Sequence, residues 1–329
     1  MVKNNIRITT MGGGTGNSTL LKGLKKYFNN ITAIVTVADD GGSSGMIRDD
    51  FGVLPPGDIR ACLISLANTE KSMEKLMNYR FKDGNLKGQN FGNLLLVAMA
   101  DIYKDFVFGI RETSNILAIT GKVLPVSLDD ITLFAELEDG SIIKGESNIP
   151  FLNKIRKSRI KKVSISPEFA KPLNEVVEEI YNSDIVVIGP GSLYTSIIPN
   201  LLIADIRKAL LNTSAKIYYV LNVMTQSGET YNYSVSDHIN AIFEHFNDIC
   251  IDSVIVNNKK INDDLKLKYK NKESEQILLK DDDRKYINSL GINLIEGNLI
   301  KTDEYFLRHD GNKLAKIILD NYIGKSNGV

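Results

Sequence analysis

The sequence predicts an α/β fold on a mostly parallel sheet, and three observations carry that expectation. An apolar strand, a glycine-rich turn and a helix follow one another at residues 6–29 and again at 184–211. Short runs rich in β-branched residues alternate with helical patterns. The alternation continues to the end of the chain, so residues 1–329 read as one domain.

In the first unit, Ile6–Met11 reads as a buried strand and Ser18–Asn29 as a helix with Leu20, Leu21, Leu24 and Phe28 on one face. Between them lie Gly12, Gly13, Gly14, Thr15, Gly16, Asn17 and Ser18. A helix N-terminus presents unpaired N–H groups and about half a positive charge. Glycines leave it open to an anion, so this turn is expected to hold phosphate. It fits neither familiar glycine motif. A dinucleotide fingerprint would need glycine where Asn17 or Thr19 stands, and a P-loop would need lysine at Asn17.

The second strand, Ile31–Val37, runs into Ala38–Gly45 and brings Asp39 and Asp40 to its carboxyl end. In open parallel sheets that end faces the ligand. Asp39 suits ribose hydroxyls, and with Asp40 it suits Mg²⁺, which takes one or two carboxylates and completes its shell with phosphate and water. Residues 55–60 then enter a helix through Leu66, with Asp58 as its cap. Arg60 lies in the first turn, where the dipole disfavours a cation, so it is expected to meet an anion or a carboxylate. Helices follow from Asn90 to Asp105 and on to Ile119. Asn93, at a glycine-lined helix start, is a candidate phosphate contact or a plain cap.

From Val123 to Ile149 the pattern changes to strands, a small antiparallel excursion turning at Asp139 and Gly140 with the type I′ signal. The basic stretch Lys154–Lys162 lacks interleaved aromatics and reads as a solvated connector. In the second unit, strand Asp184–Ile188 meets Gly189, Gly191 and Ser192 before a helix at Leu201–Leu211. Strand Ile217–Asn222 offers Asn222, Thr225 and Gln226 at the same edge. Strands Asp252–Val256 and Ile292–Glu296 alternate with helices Ser234–Phe246, Asp283–Leu290 and Lys313–Tyr322. The lysine-rich segment Asn257–Glu275 reads as a mobile surface element whose Tyr269 could close over a ring, as Arg308, His309 and Asp310 could over a phosphate.

Lysine plus arginine equals aspartate plus glutamate at 40 each, so no global field draws the protein to nucleic acid or an anionic membrane. No apolar run approaches the roughly 20 residues of a membrane span, and the start lacks a signal-peptide core. Cys62 and Cys250, both in apolar surroundings, suit reduced buried thiols, so a cytoplasmic protein is expected. None of the three histidines adjoins a glycine turn in sequence.

Residues 12–18, 36–45, 55–60, 91–95 and 188–196, in this order, resemble the CofD-like family. That family comprises 2-phospho-lactate transferases and bacterial gluconeogenesis factors; residues 222–230 and Arg308-His309 resemble the bacterial branch. The resemblance covers nearly the whole chain. It implies a Rossmann-like three-layer α/β/α fold and a UDP-sugar ligand, UDP-N-acetylglucosamine or UDP-glucose, with a role in cell shape and wall synthesis on gluconeogenic carbon sources. Tyr269 and Arg308 match family positions associated with the UDP-sugar. The transferase branch moves a phospholactyl group from a guanosine diphosphate donor with Mg²⁺, which makes Asp39 and Asp40 the metal candidates. Gln89 stands where the family usually has histidine, and glutamine cannot shuttle a proton near neutral pH. The expectation is a cytosolic UDP-sugar-binding regulator, with a Mg²⁺-dependent transferase as the alternative. A homo-oligomer and a regulatory protein partner are the associations such a role allows.

Overall fold

A computed structural model describes residues 4–246, 248–302 and 307–326. The first half of the chain gives β1 (Asn4–Gly12), α1 (Gly14–Leu24), β2 (Phe28–Val35), α2 (Gly42–Phe51), α3 (Gly57–Leu66), α4 (Lys71–Met77), α5 (Phe91–Tyr103), α6 (Phe106–Ile116) and β3 (Lys122–Pro125). Next come β4 (Thr132–Leu137), β5 (Ile142–Lys144), α7 (Asn148–Arg156), β6 (Ile160–Ser166), α8 (Asn174–Asn182), β7 (Ile185–Ile188) and a π-helical turn at Leu193–Ile197. The chain continues through α9 (Ile198–Leu202), α10 (Ala204–Asn212), β8 (Lys216–Val220), α11 (Val235–His245), β9 (Ser253–Asn257) and α12 (Asp263–Lys270). It closes with α13 (Asp281–Ser289), β10 (Asn293–Gly297), β11 (Ile300–Thr302), β12 (Leu307–His309) and α14 (Gly311–Ser326).

Seven strands form one sheet in the order β10-β9-β8-β7-β1-β2-β3, and every pairing in it is parallel. Because side chains alternate along a strand, β7 sends Ile185 and Val187 to one face and Val186 and Ile188 to the other. The first face packs on α1, α3, α5, α6 and α14 through residues such as Leu20, Leu63, Ile110 and Ile318. The second packs on α8 to α11, with Val176, Leu201, Leu210 and Ile239 fully or almost fully buried. Burying such side chains contributes roughly 1.5–3 kcal/mol each, and strands covered on both faces explain the near-continuous apolar runs. The result is the expected three-layer α/β/α arrangement.

Several boundaries differ from the sequence reading. α1 begins inside the glycine cluster and stops at Leu24, so Phe28 is the buried first residue of β2 rather than part of the helix. Val123 belongs to β3, an edge of the main sheet. The antiparallel excursion is a separate sheet, β5-β4-β6, whose hairpin turns at Asp139 and Gly140 with only Gly140 at positive φ, 83°. Asp139 Oδ1 instead accepts the Ser141 N–H at 2.9 Å, so the turn is not type I′. Much of the basic connector is structured as the end of α7 and the start of β6. Cys62 is buried and Cys250 exposed; both are free. No helix among the described residues is long and apolar enough to cross a membrane.

Candidate functional site

β1 and β7 are neighbours in the sheet, yet the chain leaves them in opposite directions, to β2 on one side and β8 on the other. Such a divergence opens a crevice at the carboxyl ends of the strands. Both glycine turns meet there, around a cavity of about 580 Å³. One wall is Gly13, Gly14, Thr15 and Gly16; the facing wall is Gly191, Ser192, Thr195 and Ser196. The loop after β8 adds Asn222, Thr225 and Gln226, the loop after β2 adds Asp39, and Tyr269 and Arg308 complete the lining.

The turns are held against each other by the chain itself. A Cβ on Gly16 would collide with the carbonyl of Pro190, and one on Gly14 with the Asp58 carboxylate. Asn222 Nδ2 donates to Gly191 O at 2.8 Å and to Gln226 Oε1 at 3.2 Å, tying the β8 loop to the second turn. Thr225 exchanges backbone and side-chain hydrogen bonds with Glu275 at 2.8 Å, which fastens the end of the 257–275 segment beside the cavity. Within that segment α12, capped by Asn262, carries Tyr269, whose hydroxyl accepts the Leu307 N–H at 2.6 Å.

Carboxyl groups dominate the electrostatics. Asp39, Asp58, Glu146 and Glu229 all line the cavity, and Arg308 is the one lysine or arginine among the described lining residues. Burial pushes Asp58 up to about 7, helped by the charge of Asp39, although its carboxylate accepts the Gly14 N–H. Burial likewise raises Asp39, against the pull of the Gly41 N–H at 2.9 Å. Glu146 rises to about 9, through burial and then the charges of Asp39, Asp58 and Glu229. Glu229 rises to about 7 through burial; it accepts from Ser192 Oγ and from the N–H groups of Tyr194 and Thr195. Both helix ends read as phosphate sites thus have a carboxylate of the protein in hydrogen-bonding contact.

Other expected contacts lie elsewhere. Asp40 does not line the cavity: its two oxygens accept the N–H groups of Glu146 and Ser147 at 3.1 and 2.8 Å and fix the turn into α7. Arg60 is engaged by Asn93 Oδ1 at 2.9 Å, Asn78 Oδ1 at 2.8 Å and Met77 O at 3.3 Å. Asn93 in turn donates to Ser43 Oγ at 3.1 Å, so this pair braces α3, α5 and α2. Gly12, Ser18 and Gly189 are also outside the cavity lining. Asn17 is fully buried, with no hydrogen-bond partner for either amide atom among the described residues. Gln89 accepts from Ser43 Oγ at 2.7 Å and does not line the cavity.

His309 is in the cavity lining beside Arg308, as the 308–310 reading allows, whereas Asp58, Glu146 and Glu229 are not among the site residues the sequence suggests. Asp58 looked like a cap, which it is, for α1 rather than its own helix. Glu146 had no signal, since it reaches the cavity only because the antiparallel sheet folds back. His309 lines the cavity, but burial lowers it to about 4 and its Nε2 lies 3.2 Å from Leu221 O, so it is neutral near pH 7. Among the described residues no group of three or more His, Cys, Asp or Glu side chains is arranged for a metal ion. Two carboxylates, Asp39 and Asp58, do face one cavity.

Residues 8–300 match the family model described as 2-phospho-L-lactate transferase CofD. A Clostridium acetobutylicum protein is 50% identical over 319 residues, covering 97% of this chain and 70% of that one. The gluconeogenesis factor of Bacillus subtilis is 42% identical over 315 residues, 95% of this chain and 97% of its own. A crystal structure of a UPF0052 family member from Bacillus halodurans superposes with a TM-score of 0.91 at 43% identity, over 96% of this chain and all of the other.

Proposed function

Because the chain belongs to the CofD family, with gluconeogenesis factors among its near relatives, we propose that it binds a UDP-sugar in the cavity between the two glycine turns and acts as a ligand-responsive cytoplasmic factor. The observation that carries this reading is the composition of the cavity. Backbone-rich turns at two helix ends face an aromatic ring, Tyr269, and a guanidinium, Arg308, which suit a diphosphate flanked by a base and a sugar. His309 is held neutral, whereas Asp58 and Glu229, raised to about 7, lie in the range a general acid or base needs, an observation that belongs with the transferase reading below. A role in cell shape and wall synthesis on gluconeogenic carbon sources, through a regulatory protein partner, belongs to the same proposal.

Isothermal titration with UDP-N-acetylglucosamine and UDP-glucose, with and without Mg²⁺, tests it. Saturable binding with the nucleotide recovered intact is expected. Absence of saturable binding for every UDP-sugar would sink it.

The clustered carboxyls support a second reading, a Mg²⁺-dependent transferase. Asp39 and Asp58 could supply the two oxygen donors that Mg²⁺ commonly takes from protein; burial raises both, with the charge of Asp40 adding to Asp39 and that of Asp39 to Asp58, a cost that a cation would relieve. Once bound, the ion would neutralise a diphosphate and stabilise the leaving group. The turns would hold the donor in line, and Arg308 would meet its charge. In that case Asp58→Asn abolishes consumption of a nucleotide diphosphate donor, whereas a pure binder shows none to lose.

A further inference from the structure

The cavity between the glycine turns has two chemically different ends. At one, Tyr269 of α12 packs with Val223, Met224 and Leu307 in a small apolar cluster of its own, and Arg308 follows Leu307 in β12. At the other, Asp39, Asp58, Glu146 and Glu229 arrive from four separate stretches of chain and act on one another. The charges of Asp39, Asp58 and Glu229 all raise Glu146, and that of Asp39 raises Asp58. Glu146 also meets the Thr195 hydroxyl, and Glu229 that of Ser192.

None of the four is bare. The Gly41 N–H and Ser44 serve Asp39, the Gly14 N–H serves Asp58, and the cations that oppose these two, Arg48 and Arg60, stand outside the cavity lining. Arg308, the one lysine or arginine among the described lining residues, is at the Tyr269 end. Hydroxyl groups suit the carboxyl end, because an ionised carboxylate only accepts hydrogen bonds and each hydroxyl brings a donor. A further negative charge does not suit it, since like charges in a partly dehydrated cavity repel strongly.

We propose that the carboxyl end is the sugar subsite and that it selects by charge, taking a neutral, hydroxyl-bearing sugar and rejecting one that carries a carboxylate. The inference rests on the UDP-sugar reading, with the base against Tyr269 and the diphosphate between the turns and Arg308.

The test is calorimetric titration of the full chain at neutral pH, with a chelator present, against UDP, UDP-glucose, UDP-xylose and UDP-glucuronic acid. The last two differ from UDP-glucose only at the hydroxymethyl group, which xylose lacks and glucuronic acid replaces with a carboxylate. UDP-glucuronic acid should bind about tenfold or more weaker than UDP-glucose, and UDP-xylose should lose less than that. Asp39→Asn and Glu229→Gln should each narrow the ratio of the glucose and glucuronic acid affinities about threefold or more, because each removes a repelling charge. Should one variant fold poorly, the other decides. Equal wild-type affinity for UDP-glucose and UDP-glucuronic acid overturns the proposal and leaves the UDP-sugar reading standing. So does a loss with UDP-xylose as large as that with UDP-glucuronic acid, which means that the hydroxymethyl contact sets the preference. An unchanged ratio in the folded variants overturns it as well. If neither UDP nor any UDP-sugar binds, the UDP-sugar reading falls and the proposal falls with it.

Discussion

The carboxylate of Asp58 occupies the space that a side chain on Gly14 would need, and it accepts the Gly14 N–H. The glycine is therefore demanded by the protein's own packing before any ligand arrives. Gly14→Ala should destabilise by about 1–3 kcal/mol through overpacking, seen as a lower thermal midpoint. Adding Asp58→Ala should recover much of the loss, because the two sites are coupled by contact. Equal stability of Gly14→Ala and wild type would mean that the carboxylate leaves the turn without cost.

Stability should fall as pH rises. Glu146 is raised from 4.5 to about 9, and Asp58 and Glu229 to about 7, chiefly by burial. A carboxyl raised on folding holds its proton more tightly in the folded state, so its contribution is intact below the unfolded value and is lost on the way up to the folded one. The thermal midpoint should therefore decline between about pH 5 and pH 9. Glu146→Gln should match wild type at the acid end and exceed it by at least about 1 kcal/mol near pH 9. A slope that the substitution leaves unchanged would contradict the assignment.

The strand–turn–helix units were legible because their signals are local: β-branched runs, glycine clusters and helical spacing. The sheet order and the meeting of the turns follow from where Ile6–Met11 and Asp184–Ile188 pair, which no local pattern encodes. Asp40 and Arg60 show the same limit. Residue type marked each as a ligand for something, and each does have a partner, but the partners are the Glu146–Ser147 backbone and the Asn78–Asn93 amides. Glu146 was invisible because its role depends on a turn some hundred residues from Asp40 in sequence. α2 was missed because its Gly42–Ser44 start is poor helix former sequence, rescued by buried Ser43 and Ser44, which bond across to Asn90, Asn93 and Gly57.

Arg60→Ala separates a brace from an anion contact. Removing the guanidinium leaves the buried Asn93 carbonyl without its donor, which costs on the order of 1–3 kcal/mol. The thermal midpoint should drop, while UDP-sugar affinity in the folded variant stays within about twofold. A large loss of affinity with unchanged stability would return Arg60 to the binding site.

Tyr269 offers two separable functions, a hydroxyl that accepts the Leu307 N–H and a ring in the cavity lining. Tyr269→Phe should cost about 1 kcal/mol of stability and keep most of the affinity. Tyr269→Ala should weaken UDP-sugar binding about tenfold or more by removing the stacking surface. If Phe is as damaging as Ala, the hydroxyl rather than the ring carries the contact.

Asn17 carries the clearest disagreement between residue type and environment. Its position in the glycine cluster suggested a phosphate contact, yet its side chain is fully buried in α1, outside the cavity lining, with both amide atoms unpaired among the described residues. A buried amide without partners costs roughly 1–3 kcal/mol. Leucine keeps the branched shape without polar atoms, and its larger methyl groups cost part of the gain through overpacking, so Asn17→Leu should raise stability by no more than about 1 kcal/mol, measured by chemical denaturation without ligand. UDP-sugar affinity should be unchanged. A destabilised variant would mean that the amide is satisfied by internal water, and a stable variant with lost affinity would restore Asn17 as a ligand contact.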